Sequence, residues 1–112
     1  MRQAATAATM LRVTTIAVIA PLKYGVQAEA RGLIASGPPF DPERTPLVRH
    51  EVFLTGDEVV FVFEGPNARL AVEQLIGESS IWQAALAWRR CLAGRPRIAE
   101  HAYEWRRDAP AA

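Results

Sequence analysis

The stretch from Leu47 to Glu64 constrains the fold of this chain more than any other. Leu47 to Leu54 and Val59 to Phe63 are two β-rich runs separated by Thr55-Gly56-Asp57-Glu58, a turn signal between alternating hydrophobics. Whether the turn has two or four residues, Leu54 falls opposite Val59, Val52 opposite Phe61 and His50 opposite Phe63. One face of the hairpin then carries Val48, His50, Val52, Leu54, Val59, Phe61 and Phe63; the other carries Arg49, Glu51, Phe53, Val60, Val62 and Glu64. The second face holds too much apolar surface to be left in water, so both faces need a cover.

The flanking segments supply one of the covers. Val13 to Ala20 is β-branched at most positions, ends at Pro21 and is too short to span a bilayer, which makes it a first strand rather than a signal peptide. From about Gly25, Val26, Ala30 and Leu33-Ile34 recur on one helical face until Gly37-Pro38-Pro39 stops the pattern. Gly37 to Pro46 contains four prolines and reads as a stiff loop without regular structure. After Gly65-Pro66, Asn67 is placed to cap a helix through Leu70, Val72, Leu75 and Ile76. Gly77-Glu78-Ser79-Ser80 interrupts that helix, and Ile81, Ala84, Ala85, Trp88 and Leu92 continue it as a second, bent segment. Arg97 to Trp105 alternates again and reads as a fourth strand, with Ala99, His101, Tyr103 and Trp105 on one side. The expected organisation is a flexible tail over residues 1–11, where Met10 is a second candidate start, one domain over 12–105, and a short tail over 106–112.

Bulk properties exclude several function classes. Half of the 112 residues are hydrophobic, which suits one globular domain with one core. Thirteen basic and twelve acidic residues leave a net charge of +1, so no overall field recruits nucleic acid or an anionic membrane. Cys91 is the only cysteine; no internal disulfide can form, and a reducing cytoplasm is the expected location. No glycine-rich phosphate loop and no Gly-x-Ser-x-Gly elbow occurs.

Strand, helix, strand, strand, helix, strand is the ferredoxin-like α+β arrangement, an antiparallel sheet in the order 4-1-3-2 with both helices on one face. A second copy of the chain would cover the other face, giving a homodimer. In this element order, in the hairpin ending Phe61-Val62-Phe63-Glu64-Gly65 and in the bent helix around Ser80-Ile81-Trp82, the chain resembles the dimeric α/β-barrel superfamily. The resemblance covers roughly residues 12–105. That superfamily includes antibiotic-biosynthesis-type monooxygenases, polyketide cyclases, haem-degrading enzymes and stress-responsive proteins. It implies two such sheets packed into one barrel; a shared fold does not by itself carry an activity.

The two histidines, both on expected strands, are the first candidates for acid–base chemistry near neutral pH. His50 and His101 would lie on opposite edges of the sheet, about 14 Å apart, so a small planar ligand between sheet and helices could reach both. Phe61, Phe63, Trp82 and Trp88 would wall such a pocket, and Tyr103 would donate a hydrogen bond. The plainer reading of His50 and His101 is two hydrogen-bonded strand residues in a mixed core. Glu51 beside His50 and Glu100 beside His101 point to the opposite face, so neither histidine has a metal partner at close spacing. Neither a metal nor a bound cofactor is expected. Cys91 reads as a buried, inert thiol, and the arginines from Arg89 to Arg107 as a solvated helix end and tail. Asp41 and Glu78 are loop carboxylates near the expected mouth of the pocket.

Three functions follow from these residues and the resemblance. The first is a cofactor-independent monooxygenase or cyclase for a small aromatic or polyketide-like substrate, with His50 or His101 as general base. The second is a non-catalytic dimer that binds a small ligand or stabilises a partner. The third is haem binding, which needs an axial histidine facing a deep pocket.

Overall fold

The computed structural model describes residues 13–76 and 86–107. The hairpin register is the expected one: β2 (Arg49–Leu54) pairs with β3 (Glu58–Pro66) so that Leu54 opposes Val59, Val52 opposes Phe61 and His50 opposes Phe63. Thr55 closes the turn. Its N–H donates to the Glu58 carbonyl at 2.8 Å, and its hydroxyl oxygen accepts from the Glu58 N–H at 2.9 Å.

On its other side β3 pairs with β1 (Val13–Pro21), and β1 pairs with β4 (Arg97–Glu100), giving a fully antiparallel sheet ordered β2-β3-β1-β4. This is the ferredoxin-like sheet expected from the element order. Directly opposed residues share a face. Ile16, Val18 and Ala20 of β1 therefore lie with Phe63, Phe61 and Val59 of β3 and with Val52 and Leu54 of β2.

Both helices cover that face. Helix α1 (Gln27–Ala35) buries Ala30, which packs with Ala20, Leu22, Val59 and Cys91, while Val26 and Leu33 flank the cluster. Helix α2 (Ala68–Ile76) buries Ala68 and Val72 against Ile16 and Phe63. Phe61 touches both clusters and joins them into one layer. Val59 and Cys91 are fully buried, and removing a valine of this kind from water contributes about 1.5–3 kcal/mol. The chain then returns to the sheet after a helical turn over residues 86–89, where the Lys23 N–H donates to the Cys91 carbonyl at 2.7 Å and Leu22 bridges to Leu92.

Three local expectations change. The proline-rich loop does contain regular structure, a 3-10 turn over Pro42–Arg44, because Pro42 suits a first helical position and the Asp41 carboxylate accepts from the Glu43 N–H at 3.0 Å. Asn67 does not take a cap conformation; its φ is 52°, and the first N–H of α2, that of Ala68, donates instead to the Thr14 hydroxyl of β1 at 2.9 Å. Strand β4 stops at Glu100 rather than Trp105, since an edge strand has one neighbour to hold it and the ladder with β1 ends where Glu100 meets Ile16. The bend expected around Ser80 and the wall residue Trp82 lie outside the described residues.

The face away from the helices carries Ala17, Ile19, Val60, Val62 and Ala99, with Phe53 more than half exposed. Its polar members include Arg49, Glu51 and Glu64 toward one end and Glu58 and Arg97 toward the other. No helix among the described residues is long and apolar enough to cross a membrane.

Candidate functional site

His50 stands at the edge of the sheet on the helix-covered face, where the hairpin register places it opposite Phe63. The Phe63 ring stacks on the imidazole with centroids 4.6 Å apart, and the ring of Phe40 from the proline-rich loop lies 5.5 Å from it at a tilt of 52°. Nδ1 of His50 lies 3.0 Å from the Val62 carbonyl oxygen. A carbonyl can only accept, so Nδ1 carries the proton and Nε2 of the neutral ring keeps its lone pair. One ring nitrogen is thereby spent on orientation and the other is left for chemistry.

An open cleft of about 410 Å³ adjoins this ring, between Pro38, Pro42, Glu43 and Thr45 of the loop and Leu47 to His50 at the start of β2. A larger one, about 580 Å³, lies on the other side of the same loop, lined by Pro38 to Asp41, Arg44, Thr45 and Leu75. The larger holds no histidine, and its Asp41 carboxylate is committed to capping the 3-10 turn, so the cleft beside His50 is the better place for proton transfer.

The loop is pinned where it meets the sheet. A Cβ on Gly65 would lie 2.9 Å from both the Leu47 Cα and the Pro46 carbonyl oxygen, so glycine at this position lets the loop end pass directly over β3. The Val48 N–H donates to the Glu64 carbonyl at 2.7 Å, and Thr45 bonds back to Pro42 at 2.7 Å. These contacts hold Phe40 over His50 through a short, stiff segment.

Among the described residues, the rings expected to wall a pocket between sheet and helices pack closely. Phe61 meets Trp88 edge to face at 5.4 Å, and Phe63 is buried against Ile16, Ala68 and Val72, so these rings act as core. Among the described walls Phe63 touches His50; Trp82 lies outside the described residues.

His101 and Tyr103 are not brought to His50. Ala99 opposes Ala17, which puts the alternating set that includes His101 and Tyr103 on the face away from the helices, and the strand ends before either residue. His101 is exposed, with Nε2 3.5 Å from Glu104, and Tyr103 is 79% exposed. The assumption that failed was the face: alternation fixes which residues are together but not which side of the sheet they occupy.

Two features of the site region escaped the sequence. Phe40 sits in a segment whose prolines hid the role of its ring. Glu64, only 9% exposed, accepts from the Thr15 hydroxyl at 3.0 Å and pairs with Arg49 and Arg106 at 3.4 Å each, a carboxylate with donors from both neighbouring strands. The signal for Glu64 was present in its position opposite Arg49 in the hairpin register.

Cys91 is fully buried, and burial pushes its thiol up from the ordinary value, with the Glu29 carboxylate adding to the effect. A thiol held in its protonated form is a poor nucleophile, as expected for a core residue. Among the described residues, no three His, Cys, Asp or Glu side chains gather closely enough to hold a metal ion.

No protein-family profile matches the chain, and no curated protein sequence matches it. Solved structures do match. SnoaB, a cofactor-independent oxygenase from Streptomyces nogalater, superposes with a TM-score of 0.58 at 16% identity over 82% of this chain and 94% of its own. An antibiotic biosynthesis monooxygenase gives 0.57 at 11% identity over 83% and 99% of the two chains. A dimeric protein of unknown function with a ferredoxin-like fold from Bacteroides fragilis gives 0.59 at 13% identity over 81% and 99%. The chain shares the ferredoxin-like fold of antibiotic-biosynthesis-monooxygenase-type structures, over nearly the whole length of each.

Proposed function

We propose that the chain is a homodimeric, cofactor-independent enzyme of oxygenase or cyclase type, in which Nε2 of His50 removes a proton from a small aromatic or polyketide-like substrate. The observation that carries this reading is the bond from Nδ1 of His50 to the Val62 carbonyl, which fixes the tautomer and leaves Nε2 as an acceptor beside a cleft. Proton uptake at Nε2 leaves that bond intact, so the base does not give up its orientation when it works. The neighbouring Phe63 and Phe40 rings supply polarisable faces for the imidazolium that forms.

Monooxygenase and cyclase chemistry of this kind begin with the same step. Removal of a proton from a methylene activated by an aryl-conjugated carbonyl, as in an anthrone, leaves a delocalised carbanion. With molecular oxygen as the oxidant, the methylene becomes a carbonyl: R2CH2 and O2 give R2C=O and water. With an internal carbonyl as the electrophile, the same carbanion closes a ring. Fold likeness to a cofactor-independent oxygenase supports the first outcome.

Oxygen uptake with a panel of hydroxylated anthrones tests this. Turnover by the wild type and a loss of about 100-fold or more in His50→Gln is the expected result, since general-base catalysis contributes 10²–10⁴-fold. Equal rates in both proteins would sink the assignment.

The homodimer reading is supported by the sheet face that the helices leave open, where Ile19, Val60 and Val62 lie beside exposed Phe53. Light scattering coupled to size exclusion should give twice the chain mass at micromolar concentration. A monomer there contradicts it.

A further inference from the structure

The 3-10 turn before β2 divides two opposite charges between two clefts. Glu43 lines the cleft beside His50, while Arg44, the next residue, lines the larger cleft on the other side of the loop. The turn is stiff here. Pro42 fixes its first position, the Glu43 N–H donates to the Asp41 carboxylate at 3.0 Å, and the Arg44 and Thr45 N–H groups donate to the Asp41 and Pro42 carbonyls at 3.0 Å each. Glu43 is thereby held by its backbone. Its carboxylate takes part in no ion pair among the described residues, and the guanidinium of Arg44 does not neutralise it.

The other polar side chains of that cleft are already engaged. The Thr45 hydroxyl donates to the Pro42 carbonyl at 2.7 Å and accepts from the Leu47 N–H at 3.2 Å. Arg49 meets Glu51 at 3.1 Å and Glu64 at 3.4 Å, so its charge is balanced before any ligand arrives. Prolines, Leu47 and Val48 make up the rest of the lining. Two side-chain groups are left to meet a ligand, the Glu43 carboxylate and Nε2 of His50, and both are acceptors. An uncompensated negative charge thus stands on a largely apolar wall. Its best complement is an ammonium, which brings the opposite charge and the hydrogen-bond donors together, whereas a ligand carboxylate in the same place is repelled.

We propose that Glu43 is a specificity-determining residue of the His50 cleft, selecting aromatic substrates that carry a protonated amine over those that carry a carboxylate. The proposal rests on the proton-transfer reading of His50 and narrows its substrate class. The ammonium pairs with Glu43, and Nε2 stays free for the carbon acid. A neutral hydroxylated ring, such as an anthrone, falls between the two.

Calorimetric titration of the full chain with three ligands on one ring system tests this: tryptamine, tryptophol and indoleacetate. At low ionic strength, where exposed charges are least screened, wild type should bind the amine about fivefold tighter than the alcohol, and the acid more weakly than either. Glu43→Gln should bring the amine to within about twofold of the alcohol, and Glu43→Lys should favour the acid. Both substitutions change an exposed side chain and keep the N–H that caps the turn, so far-UV circular dichroism should match the wild type. An amine advantage under about twofold in the wild type overturns the proposal without recourse to any variant, as does the absence of measurable binding by all three ligands. An advantage that survives intact in Glu43→Gln overturns it too. Oxygen uptake by His50→Gln keeps the two readings apart. If anthrone turnover depends on His50 while the three ligands bind alike, the specificity role fails alone. If the amine preference disappears in Glu43→Gln while turnover does not depend on His50, the base assignment fails and the Glu43 subsite stands.

Discussion

The end of the sheet that carries His50 and the end that carries His101 are both edges, and they are held very differently. Strand β2 pairs along all six of its residues with β3, which supplies the Phe63 ring and the Val62 carbonyl to His50, and the loop adds the ring of Phe40. Strand β4 pairs over four residues, and His101 stands beyond its end with Glu104 as its partner in solvent. An edge strand becomes a site when a loop fixed elsewhere folds back over it. Gly65 allows that at the β2 end, by letting Pro46 and Leu47 cross close above β3.

The sharpest way to break the contrast is to remove the shared support of the His50 side. Phe63→Ala takes away a ring that is 8% exposed and packs against Ile16, Ala68 and Val72 as well as His50. Urea unfolding should show a loss of about 3–5 kcal/mol, and no equal truncation in residues 101–107 should approach it in a single chain.

Gly65→Ala probes the crossing itself. The added methyl meets two backbone atoms of the Pro46–Leu47 peptide at 2.9 Å, where no side-chain rotation can relieve it, so a loss of about 1–3 kcal/mol is expected. The substitution should also loosen Phe40 from His50, seen as a change in the histidine ring resonances by NMR. Unchanged resonances would mean the loop is held by other contacts.

Thr14→Val tests a smaller element of the same end. The Thr14 hydroxyl accepts from the first N–H of α2 and donates to the Gly65 carbonyl at 3.3 Å, so its removal should cost about 1 kcal/mol. Restoring most of that loss with Thr14→Ser would separate the hydroxyl from the methyl.

Cys91, under the opposite end of the sheet, gives a pH signature in place of a fixed loss. Its thiol is raised by burial and then by Glu29, so the folded chain keeps a proton that the unfolded chain releases above the ordinary value of 9.0. Stability is therefore full below that pH and declines as pH rises toward the folded value. Cys91→Ala should flatten the decline in a series of denaturation midpoints, and an identical slope in the variant would exclude the thiol as its source.

These contrasts also show which parts of the molecule were legible in the chain. Leu54 opposite Val59 fixed the whole hairpin, because period-two alternation leaves one consistent pairing once the turn is known. That pairing carried His50 to Phe63 and Glu64 to Arg49 without further information. The β4 end was less legible because alternation over Arg97 to Trp105 says nothing about where a lone neighbour stops pairing, or which face is outward. Phe40 and the Thr14 cap depend on contacts between residues far apart in sequence, and no local pattern announces them.

The smallest expected effect completes the comparison of the two histidines. His101→Gln removes an exposed ring whose contact is a solvent-facing Glu104, so stability should stay within about 0.5 kcal/mol of the wild type. If His50 is the base, oxygen uptake in His101→Gln should equal that of the wild type while His50→Gln loses it. The two proteins differ from each other by the position of one substituted histidine, which makes each the control for the other. A loss of turnover in His101→Gln without a change in dimer mass would require its ring to reach a substrate from the open face of the sheet. Only a rate that depends on His50 alone fits a site defined by the edge that the loop covers.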